Sequence, residues 1–364
     1  MKTRIFLITL MSIFIMTSAV SLAEAKEKAG EVYVMTNATA NEVVVFARDA
    51  KGMLTETASF STGGSGTAGT VIDPLGSQGS LILSQDKRFL IAVNAGSDQI
   101  SVFRVLPEEL ELVSVVESGG DFPTSVTLFH NLLYVLNAGA DPNITGFTLS
   151  HKGELTPIDG STRSLGSGTF SQVGFDPQGD VLVVTDRGDQ EILVFSVTKD
   201  GLPATDPVTS PSEGLGPFGF IFDRSRNALL VSEAGSGAVS SYKILSDNTL
   251  EVLDSSVQNF QSATCWIEGN NRGFVYTANT GSNTISAYDT SSGNDGVLVL
   301  LEEVAGTGNR PIDLITTVNG RFLYVLNAND GTIGMFQIKP DGSLKDLGTI
   351  GGLPAPFAQG IAAR

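Results

Sequence analysis

Arg321-Phe322-Leu323-Tyr324-Val325-Leu326-Asn327, then Ala328-Asn329-Asp330-Gly331, then Thr332-Ile333-Gly334-Met335-Phe336, reads as a buried strand, a tight turn and a second strand. The β-branched and aromatic residues favour extended backbone, and the Asn, Asp and Gly between them tolerate the left-handed conformations a hairpin turn needs. The phrase recurs along the whole chain. With the polar residue that closes its first strand as anchor, there are seven copies, at Asn37, Asn94, Asn137, Asp186, Glu233, Asn279 and Asn327, spaced by 57, 43, 49, 47, 46 and 48 residues. Each anchor is followed by an aromatic, Phe46, Phe103, Phe147, Phe195, Tyr242, Tyr288 or Phe336. Three residues before each aromatic stands Val43, Ile100, Ile144, Ile192, Val239, Ile285 or Ile333. A repeat of this length is one supersecondary unit that cannot bury its apolar face alone, so the copies must stack.

Each copy divides into four strands where turn residues cluster. In the second copy these are Ser80 to Leu83, Phe89 to Asn94, Gln99 to Phe103 and Leu110 to Val116. The third strand carries apolar residues on both faces, so both faces of the sheet need cover, and a four-stranded sheet repeated radially provides it. The expected fold is all-β, a seven-bladed β-propeller spanning residues 26–364 as one domain. The mature N-terminus enters at a second strand, Val32 to Asn37, and the missing first strand is supplied by Ala358-Gln359-Gly360-Ile361-Ala362, which closes the ring within one blade. Closure removes the exposed sheet edges that invite aggregation.

Composition narrows the function. Lys and Arg number 22 against 39 Asp and Glu, a net charge of -17 that repels nucleic acid and anionic lipid at long range. Residues 1–25 read as a signal peptide: Lys2 and Arg4, an apolar run from Ile5 to Met16, and Ala23-Glu24-Ala25 as a cleavage signal. The apolar run falls short of a membrane span, which implies a secreted or periplasmic protein without membrane insertion. The lone Cys265, beside Trp266, is expected to be a buried small residue. The sequons at Asn37 and Asn143 read as turn chemistry.

Turns after the second and fourth strands gather on one face, with the entries to the innermost strands, so the central mouth there is the natural ligand site. Candidates at this mouth are Asp121, Gln172, Asp186, Arg187, Glu233, Gln261, Arg310 and Asp313. Together they offer more carboxylates than guanidiniums, so the mouth is expected to favour neutral or cationic ligands over phosphosugars. The segment Ser61 to Ser80 accounts for the longest gap and is read as a flexible surface loop or, more sharply, as a lid over a binding site. His130 and His151 map to the opposite face as surface-turn residues. Neither a metal set, a nucleophile elbow nor a phosphate-binding loop is present, so no cofactor is expected. The oxygen-rich stretch Asp289 to Gly296 lacks the closing Glu of a calcium loop and is read as a hairpin connection.

Through Phe89-Leu90-Ile91-Ala92-Val93-Asn94, Gln99-Ile100-Ser101-Val102-Phe103 and the Phe322 to Phe336 phrase, the chain resembles the lactonase family of seven-bladed propellers, which includes phosphogluconolactonases and muconate cycloisomerases. Tyr134-Val135-Leu136-Asn137 and Tyr324-Val325-Leu326-Asn327 also resemble the Tyr-Val-x-Asn repeats of surface-layer propellers. The resemblance implies a Gly-Pro-Arg-His segment opening an innermost strand and an Asn-Glu pair ending the next. Here Gly216-Pro217 is followed by Phe218-Gly219, and Glu233-Ala234 stands where the Asn-Glu pair is expected. Two readings follow. One is an exported binding or interaction module for a small polar molecule or an envelope protein. The other is a hydrolase of a sugar lactone or similar cyclic ester, with Glu233 or Asp186 as general base and Arg310 or Arg187, substituting from a neighbouring blade, as oxyanion stabiliser.

Overall fold

A computed structural model describes residues 28–107, 109–223, 227–291, 297–301 and 304–364. The expected signal peptide and most of the oxygen-rich stretch after Asp289 lie outside the described residues. Seven antiparallel sheets form the blades of a propeller, each in simple up-and-down order from the innermost strand outward. The second blade runs Leu81–Leu83, Phe89–Asn94, Gln99–Leu106 and Glu109–Glu117, within a few residues of the strands expected from the repeat. In the third and sixth blades the outermost strand is broken into two short pieces that pair with the same third strand. Among the described residues the only helix is the single 3-10 turn Ala328–Asp330.

The ring closes in the first blade, where Ile361–Ala363 is the innermost strand beside Lys28–Met35. The register is Val32↔Ala363, Tyr33↔Ala362 and Val34↔Ile361. A cluster around buried Glu31 locks this seam: the Lys28 ammonium, the Arg364 guanidinium and the Tyr33 hydroxyl converge on its carboxylate. Burial opposes ionisation of Glu31, but these three partners outweigh it and hold its carboxyl below the usual range.

The repeat residues form the core between blades. All seven aromatics and all seven Val or Ile residues three positions before them are at most 3% exposed. The seven anchors are buried as well, which explains why the phrase ends in a short polar residue. Asn94 donates to Ser101 Oγ and accepts from Asn41 and Thr62, while Asn279 donates to Thr284 and Ser286 and accepts from Asn259 and Thr264. Asn94 and Asn279 thus tie the end of a second strand to the third strand and to the incoming connection, satisfying polar groups that the blade interior cannot hydrate. Asn37 is another anchor, and it donates to Thr67 Oγ1 and Phe357 O, so its side chain is committed to long-range contacts within the fold.

Candidate functional site

An innermost strand leaves one edge unpaired toward the channel, and its N–H and C=O groups need other partners. The chain meets this with bulges. Five innermost strands shift register at the same level, between Pro123 and Ser125, Phe170 and Gln172, Pro217 and Phe220, Thr264 and Trp266, and Pro311 and Leu314. The bulge re-aims a side chain toward the next blade. Ser125 Oγ accepts from Val173 N at 3.2 Å. Gln172 makes a two-point clamp on Phe220, accepting from its N–H at 2.7 Å and donating to its C=O at 3.0 Å. Asp313 Oδ2 accepts from Ile361 N at 3.2 Å and its Oδ1 from Leu314 N at 3.0 Å. In the fifth blade the equivalent position is Gly219, which has no side chain to offer. Its place is taken from across the ring: Gln78 accepts from Ile267 N and donates to Ile267 O, both at 3.0 Å. A Cβ on Gly219 would overlap Gln78 Oε1, so this crossing requires glycine there.

Gln78 is the end of the long segment read from sequence as a loop or lid. The stretch from Asp73 to Gln78 lies across the mouth of the channel and is bonded to four parts of the ring. Ser77 Oγ donates to Thr124 O at 2.8 Å, Gln78 N donates to Ser171 O at 3.0 Å, and Trp266 Nε1 donates to Ser77 O at 3.0 Å. Gln359, from the closing segment, donates to Ser77 O and to Asp73 Oδ1 and accepts from Leu75 N. The segment is a fixed plug. Beneath it the channel widens to a cavity of about 290 Å³, lined among others by Gln172, Glu268 and Asp313.

Arg187 meets the plug at the mouth. Its guanidinium lies 5.4 Å from the ring centroid of Phe218, and Phe218 stands edge-on to Trp266 at 4.9 Å. It packs so closely on the plug backbone that a Cβ at Gly76 would stand 2.5 Å from Arg187 Nη2, and the positive φ of +57° there also suits glycine. Among the described residues no hydrogen bond or ion pair holds this guanidinium; its charge acts on Asp73 and on Cys265. Asp73 Oδ1 accepts from Gly76 N at 2.9 Å and Gln359 Nε2 at 2.8 Å. Burial pushes the Asp73 carboxyl up to about 7, with Arg187 and these donors opposing the rise. Deeper in the channel burial pushes Asp313 up to about 8, reinforced by Glu268 and Asp73, and Glu268 up to about 7, opposed by Thr316 and Lys87. The channel is thus lined by carboxyls that are partly protonated near neutrality. Cys265 is buried with its thiol pushed up by desolvation and by Asp73.

The other expected site residues are not brought together with Arg187. Glu233 is 0% exposed and is the buried anchor of its blade, accepting from Ser240, Ser256, Ser212 and Gly214 N. Burial raises its carboxyl, with those four donors opposing. Asp186 caps its own turn, accepting from Thr169, Gly188 and Asp189 amides. Both side chains point between strands because of the alternation that also sends the Asn anchors inward. Gln261 bonds to Asn259 and Thr284 within its rim. Asp121 and Arg310 are exposed at the entries to the third and seventh blades. Gln172 and Asp313 do line the channel, but their polar atoms serve neighbouring strands. No sequence motif marks Asp73, Gln78 or Gln359 as a site residue; the long gap before the second anchor is the only signal for the first two. Among the described residues no group of three or more His, Cys, Asp or Glu side chains is placed to hold a metal ion.

This chain belongs to the lactonase family of seven-bladed β-propellers. The family model described as "Lactonase, 7-bladed beta-propeller" matches residues 26–170 and 172–357. Among solved structures it is similar to the periplasmic gluconolactonase of Pseudomonas aeruginosa, at 18% identity and TM-score 0.74 over 92% of this chain and 98% of that one. It is also similar to a Bacteroides fragilis protein described as a candidate 6-phosphogluconolactonase, at 18% identity and TM-score 0.71 over 93% and 99% of the two chains. At these identities the likeness is one of fold. A curated Staphylococcus aureus protein is 38% identical over 82 residues, a stretch that covers 21% of this chain and only 24% of that relative.

Proposed function

We propose that this protein is a hydrolase of an unphosphorylated sugar lactone or similar cyclic ester. The observation that carries the proposal is the meeting of Arg187 and Asp73 at the mouth of a lactonase-family propeller. Arg187, on the fourth blade, lays its guanidinium over Phe218, the residue that stands where the family motif has Arg. A cation from the neighbouring blade thus lies against the residue that replaces the family's Arg, which supports hydrolysis over a binding module. Asp73, a carboxyl near 7 in a largely desolvated setting, has the strength a general base needs at neutral pH.

In the proposed reaction a water oxygen attacks the lactone carbonyl carbon while its proton passes to Asp73. Arg187 stabilises the oxyanion of the tetrahedral adduct. The ring C–O bond then breaks, and the proton on Asp73 passes to the departing alkoxide, so the product is the open hydroxy acid and the carboxylate is regenerated. Gln359 and Gly76 N hold Asp73 in place through Oδ1. The net charge of -17 supports the preference for a substrate without phosphate. We also propose export through residues 1–25, with the small polar substrate as the principal partner; N-terminal sequencing of the mature protein would then begin near Lys26.

The test is a panel of phosphorylated and unphosphorylated sugar lactones followed by acid release at constant pH. Acceleration of an unphosphorylated lactone over its spontaneous hydrolysis, lowered about 10²–10³-fold by Arg187→Ala, is the expected result. A panel without any accelerated lactone overturns the proposal and restores the binding-module reading.

A further inference from the structure

On the face opposite the mouth, a groove of about 780 Å³ runs between the second and third blades. The chain has two histidines, and both line this groove. His130 comes from the turn between Pro123–Phe129 and Leu132–Asn137, and His151 from the turn between Asn143–Leu149 and Leu155–Pro157. Two bottom turns of one blade thus present imidazoles to a single concavity, a convergence their separation of 21 residues does not announce. Arg88 faces them from the second blade. Its Nη2 donates to His151 O at 2.9 Å, and its guanidinium lies 5.3 Å from the Phe89 ring centroid. Arg104 fastens the same turn by donating to Lys152 O at 2.9 Å.

The carboxylates nearby are engaged. Asp86 accepts from Ser84 Oγ at 2.7 Å and from Arg88 N at 3.1 Å, and Glu111 pairs with Arg104. The Asp86 contact to the Arg88 guanidinium is 3.7 Å between two side chains that are each more than half exposed, a pairing of little strength in water. What remains to meet a ligand is the Arg88 guanidinium and the two imidazoles over a buried apolar floor of Phe89 and Leu149. Its lining sets one guanidinium, Arg88, and two imidazoles against one carboxylate, Asp86, in a concavity of the size that small-molecule sites occupy.

We propose that this groove binds a small organic oxyanion, a carboxylate or phosphate ester. Arg88 makes the charge-assisted hydrogen bonds, His130 and His151 donate from their ring N–H groups, and Phe89 and Leu149 receive the apolar part of the ligand. The site is separate from the mouth and independent of the lactonase proposal.

Because His130 and His151 are the only histidines, imidazole NMR signals of the native-sequence protein report on this groove alone. The experiment titrates gluconate, glucose 6-phosphate and uncharged glucose at fixed pH and reads both imidazole C–H signals. Saturable shifts of both signals with either anion, absent with glucose, are expected, and the tighter anion identifies the preferred head group. Arg88→Gln should weaken that binding about tenfold, the loss of one charge-assisted hydrogen bond, while Arg187→Ala leaves it unchanged. If Arg88→Gln perturbs the fold, His151→Asn, with His130 as the remaining reporter, gives the same reading. The proposal is overturned by shifts that are absent, that match those with glucose, or that grow linearly without saturation.

Discussion

Replacing Gln78 with Ala should loosen the ring by removing a strut that crosses its channel. The lost bonds are the two between the Gln78 amide and Ile267, both at 3.0 Å. At about 1 kcal/mol each the net cost is about 2 kcal/mol, rising toward 4 if the freed N–H and C=O of Ile267 find no water. With about 2 cal/mol/K of unfolding entropy per residue, a chain of this length should lose about 3–6 °C in Tm. A second substitution makes the test specific. Gly219→Gln in the wild-type background collides with Gln78 Oε1 and should cost about 1–3 kcal/mol by overpacking. In the Gln78→Ala background the same substitution enters a vacated site and can make the clamp that Gln172 makes on Phe220, so it should restore part of the lost stability. The recovery is partial because the backbone oxygen of Cys265 lies 2.9 Å from the new Cβ, closer than a real contact, so the backbone there must shift. The assay is a double-mutant cycle by denaturant unfolding. Equal costs of Gly219→Gln in the two backgrounds would refute the reasoning.

Other outcomes follow from the same structure. Removing Ile361 to Arg364 deletes the closing strand and the Arg364 partner of Glu31, so the truncated protein should aggregate and melt well below the full chain; an unchanged melting curve counts against closure at this seam. Phe103→Ala, at a fully buried repeat aromatic, should cost about 3–5 kcal/mol by denaturant titration. Asp313, Glu268 and Asp73 have folded-state pKa values raised to about 8, 7 and 7, so the stability they contribute is complete below about pH 4 and is lost as pH rises toward 8. Their share of the Tm should therefore fall between pH 5 and pH 8, and Asp313→Asn should flatten that fall; an equally steep fall in the variant would show that Asp313 is not its source. Cys265 should resist alkylation in the native protein and react only on unfolding, as a thiol assay with and without denaturant can show.

The blades were legible because their determinants are local. An anchor, a turn, a Val or Ile and an aromatic lie within a dozen residues, and each is selected by the same strand alternation and hairpin geometry. The closing strand was legible for a related reason: a blade that begins at its second strand needs a first strand from elsewhere. The mouth was harder to read. Glu233 ends a strand on the expected face, but alternation turns its side chain into the blade, where it does the work of the Asn anchors with a carboxylate in their place. Arg187 was legible as a candidate, whereas its partner Asp73 lies in a segment without repeat or motif. Gln78 and Gln359 act across the ring, more than 180 residues from the groups they meet, and no spacing records that. Gly219 makes the point most plainly, since its meaning depends on a side chain that arrives from the opposite side of the channel.

The measurement that bears most directly on the central claim is the hydrolysis rate of the preferred unphosphorylated lactone by wild-type and Asp73→Asn proteins of matched folding. The Asn keeps the size of the side chain and an oxygen to accept from Gly76 and Gln359, but it cannot take a proton from water. A fall in kcat of about 10²–10⁴-fold is predicted for the loss of a general base. A wild-type rate from Asp73→Asn would contradict the assignment of the mouth as the hydrolytic site.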